Sequence, residues 1–524
     1  MSDSTRPRPG TARPGLAALG RAATVGLLSA GVALAAAHLL AAALGRPAAA
    51  PLLAVGAAVV DGTPEPVKAF AIRTFGTADK PILLGGVGLV LAVAAVGVGA
   101  AALRRRALGL VALGALAVAG AAAALSRPTA TARDALPAAV GAVAGGVALL
   151  LLSRAARATD PGAAGRPRLL NRRQFLATAG GAAVTAAGGA VAGTAIARSR
   201  AVGVRSRATV RLPPPVTPAP ALPPGVSLGV PGVAPFVTTN RDFYRVDTAL
   251  TVPQVDVTTW RLALGGAVEQ PRAWRFDELL ARGLVERDIT LNCVSNEVGG
   301  PYIGTARWTG VPLAPLLREA GLRPGQNQLV SRSVDGMTIG TPLDAVLDGR
   351  EALLAVGMNG EPLPLEHGFP VRMLVPGLYG YVGACKWLTA LEVTTFDAFD
   401  AYWVRRGWAA DAPVKTASRI DTPRPFAQLR AGPVLVAGVA WAQRRGISAV
   451  EVQVDDGDWR PARLADGPSP DLWRQWVFRW DATPGGHTIR VRATDGTGGT
   501  QTGRRAAPFP DGATGWHDTT VTVT

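Results

Sequence analysis

The sequence predicts three folded parts in series: an α-helical transmembrane N-terminal domain, an α+β domain in which β predominates, and a C-terminal β-sandwich. Three observations predict this order. Apolar runs near 16–44, 81–103, 107–125, 136–152 and 175–197 fill the first 200 residues, each close to the ~20 residues that cross a bilayer. From Leu212 onward the composition becomes that of a globular protein, with prolines, tryptophans and mixed charge. Beyond about 415, short alternating runs recur between Asp-Gly and Gly-Gly turns.

The 524 residues carry a formal net charge of +17 with a mean hydropathy of +0.23, which a simple soluble protein does not combine. Splitting the chain resolves the conflict. Arg6, Arg8, Arg13 and Arg21 precede the first apolar run, and Arg104 to Arg106 separate the second and third. Arg154, Arg157, Arg166, Arg168, Arg172 and Arg173 precede the last, while the other gaps hold Asp61, Glu65, Asp79 and Asp134. By the positive-inside rule the N-terminus is cytoplasmic and the chain emerges outside after the fifth span, as a multi-pass protein of the cell membrane. The lipid bilayer is therefore the expected partner of the basic residues. Nucleic acid is not, since no basic patch is interleaved with aromatics. The segment from Pro47 to Lys80, interrupted by Pro64 and Pro66, reads as an external loop with an interfacial helix.

The fifth run opens on Asn171-Arg172-Arg173-Gln174-Phe175-Leu176, which resembles a twin-arginine export address for cargo that crosses the membrane already folded. An ordinary cytoplasmic anchor charge is the alternative. Four histidines occur in the chain, and only His38 lies in an apolar run, where an interhelical hydrogen bond is its expected role. One histidine cannot supply bis-histidine ligation and no Cys-x-x-Cys-His occurs, so neither haem nor an iron–sulfur cluster is expected.

The boundaries follow: a membrane domain over 1–200, a proline-rich semi-rigid extended linker over 201–235, a folded α+β domain over 236–410 and a sandwich over 411–524. Within the second domain, Phe276 to Leu280 and Pro312 to Ala320 read as short helices capped by Gly283 and Gly321. Trp260 to Leu264, Gln328 to Val334 and Phe369 to Val375 read as strands. In the third, Val450 to Val454, Trp476 to Trp480 and His487 to Ala493 alternate as sandwich strands, with His487 on an exposed face.

The chemistry concentrates on Cys293. The β-prone run Asp288-Ile289-Thr290-Leu291-Asn292 ends at this cysteine and gives way to Val294-Ser295-Asn296-Glu297-Val298-Gly299-Gly300. A thiol at a strand end opening onto a glycine loop can hold its sulfur toward a bound metal. Cys385 is the only other cysteine. A buried small hydrophobe is the alternative for Cys293 and the preferred reading for Cys385. A disulfide between the two would remove the metal ligand.

With Trp308-Thr309-Gly310-Val311-Pro312-Leu313, with Glu366-His367-Gly368-Phe369-Pro370-Val371-Arg372 and with Gly383-Ala384-Cys385-Lys386-Trp387-Leu388-Thr389, this cysteine resembles the molybdopterin domain of the sulfite oxidase family. The resemblance spans about 235 to 410. It implies a molybdenum–molybdopterin cofactor with Cys293 as metal ligand, and it puts His367 and Arg372 on the pterin. The turn from Ala384 through Cys385 to Lys386 would cradle the phosphate. Asn240 and Tyr244, in Asn240-Arg241-Asp242-Phe243-Tyr244, match the family's N-terminal cofactor contact, with a turn asparagine and core aromatics as the alternative. Ser333 stands where relatives place a hydroxyl, and an ordinary strand serine is its alternative. Arg and Lys suit a phosphate monoester, and thiolate suits a redox metal, independently of the resemblance.

The activity so implied is two-electron oxygen-atom transfer on a small substrate, with sulfite oxidation as the runner-up. Sulfite-oxidising members place arginines near the metal; this chain has Asn296-Glu297-Val298 at one such place, and at the other Val246, with Arg245 only adjacent. Arg405, Arg406 or Lys415 could supply charge instead. A neutral or poorly anionic substrate such as a sulfoxide is therefore expected, with a separate cytochrome or quinone system as electron partner. The sandwich resembles the family's immunoglobulin-like dimerisation domain, which implies a homodimer. An inactive membrane-anchored interaction protein is the reading from another class.

Overall fold

The computed structural model describes residues 15–75, 78–158 and 168–524. Arg6, Arg8, Arg13 and Arg166 lie outside the described residues. The chain forms two compact units, one built from residues up to 201 with 249–251, the other from 202–248 and 252–524.

The first unit is helical: α1 Leu16–Ala43, α2 Pro51–Gly62, α3 Glu65–Phe75, α4 Asp79–Arg104, α5 Arg106–Leu125, α6 Leu136–Ala158 and α7 Arg168–Ser199. Among the described residues, α1, α4, α5, α6 and α7 contain five stretches long and apolar enough to cross a membrane. Small residues let their backbones touch. A Cβ at Gly26 would run into the Ala95 carbonyl, and one at Gly99 into the Ala22 carbonyl, so α1 and α4 cross at backbone contact. Gly99→Leu is expected to force the two helices apart and to lower the detergent-solubilised protein's melting temperature; an unchanged melting curve would contradict this packing. His38 meets Thr194 Oγ1 across α1 and α7 at 3.5 Å, the interhelical contact expected of it.

The Pro47 to Lys80 segment, expected as a loop with one interfacial helix, holds two helices, α2 and α3. Its prolines start helices here. Pro51 occupies the first turn of α2 and Pro66 the first turn of α3, where a missing N–H leaves no bond unmade. Two acidic residues of the gaps are bound in ion pairs, Asp134 with Arg46 (Nη2 to Oδ2 2.6 Å) and Asp61 with Arg127.

The second unit opens with α8 Val202–Thr209 and continues through β1 Arg261–Gly266, β2 Arg272–Arg275, α9 Phe276–Leu280, β3 Val285–Asn292, β4 Ile303–Pro312, α10 Leu313–Ala320, β5 Gln328–Ser333 and β6 Thr338–Pro342. It then has α11 Leu343–Leu347, β7 Leu353–Met358, β8 Glu361–Pro362, β9 Arg372–Leu374, α12 Gly380–Gly383 and β10 Leu388–Thr394. Two sheets result, one ordered β2-β1-β10-β5-β6 and the other β3-β4-β7-β8, with β9 paired to β7. The capping glycines Gly283 and Gly321 take positive φ of 78° and 69°, which the sequence requires of them. The run expected over Phe369 to Val375 shortens to β9.

The 201–235 segment, expected as a semi-rigid extended linker, packs against the second unit in part. Val216 N–H donates to Leu284 O at 2.8 Å, and Thr217 O accepts from Glu286 N–H at 2.9 Å. Val210 and Val226 are buried in the main core. The free edge of β3 exposes backbone groups, and an extended strap with the right N–H groups left between prolines satisfies them.

The chain ends in a two-sheet β-sandwich. Its strands are β11 Ala417–Thr422, β12 Gln428–Leu429, β13 Gly432–Trp441, β14 Ile447–Val454, β15 Arg460–Pro461, β16 Arg463–Leu464, β17 Arg474–Ala482, β18 Gly485–Asp495 and β19 His517–Val523. They order as β11-β13-β17-β16 and β12-β19-β18-β14-β15. Val436, Trp476, Ile489, Val491 and Val521 fill the space between the sheets. Val439, Trp441, Leu472 and Trp473 belong instead to the core of the preceding sheets, so the sandwich is fused to them. His487 pairs with Asp455 at 2.8 Å on the outer face.

Candidate functional site

Strand β3 delivers Cys293 at its end. The Cys293 N–H donates to Tyr302 O at 2.9 Å, closing residues 293–302 into a loop. Asn296 braces the loop from inside: its N–H donates to Cys293 O at 3.0 Å and its Oδ1 accepts from Tyr302 N–H at 2.8 Å. The thiol is only 8% exposed and sits 2.9 Å from Ser295 Oγ. Burial pushes its pKa up, while the Ser295 contacts and the Lys386 charge pull it down.

The other expected residues gather from four segments. Tyr244 is next to Cys293: burial, and then the charge of Cys293, hold its phenol protonated well above the usual range. Gly380 at the start of α12 lies between Tyr244 Oη, Asn292 O and Ala384, all within 3.9 Å of where its Cβ would stand. Arg372, on β9, is 6% exposed, lies over the Trp308 ring at 5.5 Å and donates through Nη1 to His367 O at 3.4 Å. His367 Nε2 is 2.9 Å from Asn240 O, and its ring meets Phe243 edge-on at 5.6 Å. Ser333 pairs in register with Leu388 across β5 and β10, its hydroxyl buried without a hydrogen-bond partner.

Three of the expected residues also bond within the protein. Lys386, expected on a phosphate, donates to Asp247 Oδ2 at 2.8 Å and to Glu366 O at 3.4 Å. Burial brings its pKa down to about 8 while Asp247 opposes the shift, so it is charged at neutral pH. The Ala384 N–H, expected in a phosphate cradle, donates to Gly380 O at 3.0 Å because residues 380–383 wind into a helical turn. The Asn240 side chain is engaged by protein, donating to Met358 O at 3.2 Å and accepting from Asn359 Nδ2 at 2.9 Å.

Cys385 is buried at 1% exposure, and burial lifts its thiol to about 12. Both cysteines are free, so no disulfide competes for Cys293. Asp247 and Tyr379 escaped the sequence reading. Asp247 also accepts from Arg245 Nε at 2.8 Å, and burial pushes the Tyr379 phenol up to about 12, with smaller additions from Asp511 and then Cys293. No spacing motif marks either residue.

These residues fit a metal-bearing anionic group. The guanidinium of Arg372 is enclosed with its Nε unpaired, and the unpaired Ser333 hydroxyl is buried beside the Lys386 segment. A buried cation of this kind is costly unless an anion meets it. Among the described residues no three His, Cys, Asp or Glu side chains converge. The protein thus offers a metal at Cys293 one thiolate, and the remaining donors would come with the group.

A buried histidine, His367, and a half-buried one, His517, set an acid limit. His367 is brought to about 4, chiefly by burial and then by Arg372, and His517 to about 4 by burial. His517 Nδ1 accepts the Ile420 N–H at 2.9 Å, a bond its protonation would break. Between the ordinary 6.5 and about 4 the unfolded chain binds protons that the folded chain refuses. Folding stability is therefore complete above that window, falls as pH drops through it, and levels off below it. Each histidine contributes on the order of 3 kcal/mol. His517→Asn, which keeps an acceptor without titrating, is expected to remove about half of the loss in a melting-temperature profile; an unaltered profile would contradict the assignment.

Comparison with known proteins covers the same region. The oxidoreductase molybdopterin binding domain matches residues 249–403. Mitochondrial sulfite oxidase of Rattus norvegicus is 31% identical over 287 residues, covering 47% of this chain and 52% of that protein. A Bacillus subtilis protein called uncharacterized oxidoreductase YuiH is 32% identical over 153 residues, 29% of this chain and 74% of that protein. The sulfane dehydrogenase SoxCD from Paracoccus pantotrophus overlaps with a TM-score of 0.46 at 24% identity, over 51% of this chain and 75% of that one. The chain spans about half the length of the sulfite oxidases it matches.

Proposed function

Because the chain belongs to the family of oxidoreductases built on the molybdopterin-binding domain, we propose that it is a membrane-anchored enzyme transferring an oxygen atom, with two electrons, to or from a small sulfur-containing substrate outside the cytoplasm. The observation that carries the reading is the enclosed guanidinium of Arg372 with its Nε unpaired, in the site where β3 ends at the free thiol of Cys293. When bound, a molybdenum–pterin centre supplies the two-electron redox change. Cys293 holds the metal through its thiolate, and the strand and the 293–302 loop fix the sulfur. Arg372, Ser333 and the charged Lys386 meet the anionic parts of the cofactor, and Tyr244 stays protonated as a hydrogen-bond donor. Asn240 and His367 hold one another and shape the wall, as Ala384 and Cys385 do through their backbone.

The substrate is neutral in this reading. Arg245 is tied to Asp247, Lys415 to Asp511 at 2.9 Å, and Arg406 lies over the Tyr402 ring at 3.6 Å, so these cations are engaged within the protein. Glu297, with Asn292 and Asn296, lines the cavity beside the cysteine loop, and its carboxylate opposes a dianion. Likeness to sulfite oxidases favours a second reading, sulfite dehydrogenation. The five apolar helices anchor the chain with its N-terminus inside, the Arg172-Arg173 pair acts as export address, and electrons pass to a separate cytochrome or quinone system. The immunoglobulin-like sandwich provides a surface for a homodimer.

The test is a spectroscopic redox titration of the purified chain. Reoxidation of the dithionite-reduced protein by methionine sulfoxide, without reduction of the oxidised protein by sulfite, is the expected result. Reduction by sulfite alone would transfer the reading to sulfite dehydrogenation, and metal-free protein would leave an interaction scaffold.

A further inference from the structure

The loop that follows Cys293 does not stand alone. Its outer lobe, Gly299 and Gly300, is gripped by the sandwich. Gly299 has a φ of 80°, and a Cβ there would run into the His517 ring. Gly300 O accepts from Arg419 Nη1 at 2.9 Å, and Arg419 is in turn fixed by Asp421 at 2.6 Å. His517 accepts the Ile420 N–H through Nδ1, so β11 of one sheet and β19 of the other are tied together where they hold the two contacts.

A second grip lies three residues before the cysteine. Thr290 is 1% exposed; its N–H donates to Asp471 O at 3.2 Å and its O accepts from Gln443 Nε2 at 3.2 Å. Its hydroxyl accepts from the Trp473 N–H at 2.9 Å and meets Thr305 Oγ1 at 2.5 Å. Trp473 Nε1 then donates to Phe236 O at 2.9 Å. A well-formed strand pair needs none of this, since β3 and β4 are already in register from Val285↔Gly310 to Asn292↔Ile303.

We propose that the C-terminal sandwich acts as a clamp that positions Cys293, holding its strand at Thr290 and its loop at Gly299 and Gly300, so that His517, Arg419 and Thr290 are positioning residues of the site. The inference rests on the reading of Cys293 as metal ligand for its purpose, but the clamp itself is measurable without any metal. A side chain held from two sides keeps its orientation with little freedom, which a ligand sulfur requires.

The test uses the full-length chain purified in detergent from cells grown without molybdate, with iodoacetamide labelling of each cysteine followed by mass spectrometry. Cys385 is the internal control, buried and away from the clamp. Gly299→Ala, which drives a methyl into His517, is expected to raise the Cys293 labelling rate about tenfold or more with Cys385 unchanged, through local opening. Gly299→Ala with His517→Ala restores the space, and the rate is expected to return part of the way. Thr290→Val, near-isosteric, provides a second arm with the same expected direction, and Arg419→Lys, which keeps a donor, is expected to lie between. A Cys293 rate unmoved in both Gly299→Ala and Thr290→Val would overturn the clamp, as would an equal rise at both cysteines. Molybdenum content of chain from replete cells separately tests the metal-ligand reading, so the two failures are distinguishable.

Discussion

Replacing Cys293 with serine is expected to leave the chain folded and to remove oxygen-atom transfer almost completely. Serine matches cysteine closely in shape, and the site around it is polar enough, through Ser295, to accept a hydroxyl. What changes is the donor. A serine hydroxyl stays protonated near neutral pH and is a hard, weak ligand where a soft thiolate is required. Loss of residues that only support a ligand typically costs 10–100-fold, so loss of the ligand itself should cost at least about 10³-fold in turnover. Sulfoxide-dependent reoxidation rates and a melting curve for Cys293→Ser would check both halves. Retention of a tenth of the wild-type rate would remove Cys293 from the metal.

The second large effect changes sign with the cofactor. In the cofactor-free chain Arg372 is a buried cation with one long hydrogen bond to His367 O and an unpaired Nε. Burial already drives its pKa down. Arg372→Met, which keeps the volume against Trp308 and removes the charge, should leave the cofactor-free protein as stable as before or stabilise it by about 1–4 kcal/mol. In the loaded protein the same change removes charge-assisted bonds of about 1.5–3 kcal/mol each, so cofactor retention should fall by about 10²-fold. Melting temperatures of both forms, with cofactor loss followed by gel filtration, separate the two effects. Strong destabilisation of the cofactor-free form would make Arg372 a structural hub and not a ligand-binding residue.

The parts of the site that the sequence disclosed are those whose chemistry is local. Cys293 could be found because a β-prone run ends on it and glycines follow, and the structure has β3 ending one residue earlier. His367 and Arg372 were read from a motif confined to a few residues, and the structure brings them together. Lys386 was found too, but its partner was not, because Asp247 lies 139 residues away in sequence and nothing near it announces an ion pair. For the same reason the clamp on Thr290 and Gly299 is invisible before folding.

The two places where the fold holds more structure than expected have one physical origin. Proline was read as a breaker between 47 and 80 and as a spacer between 201 and 235, yet what it does depends on its neighbours. At Pro51 and Pro66 it occupies helix first turns, where it is favoured. Around Val216 and Thr217 the extended chain finds the edge of β3, a partner about seventy residues later that composition does not reveal. The long apolar helices, by contrast, depend on nothing beyond their own composition, and their positions agree closely with the runs in the sequence.

The central claim is tested most directly by molybdenum and pterin analysis of the full-length chain purified in detergent from molybdate-replete cells. Equimolar molybdenum and pterin, with a sulfur-to-metal absorption band absent from Cys293→Ser, is the result expected here. Protein that folds normally yet carries neither metal nor pterin would contradict it.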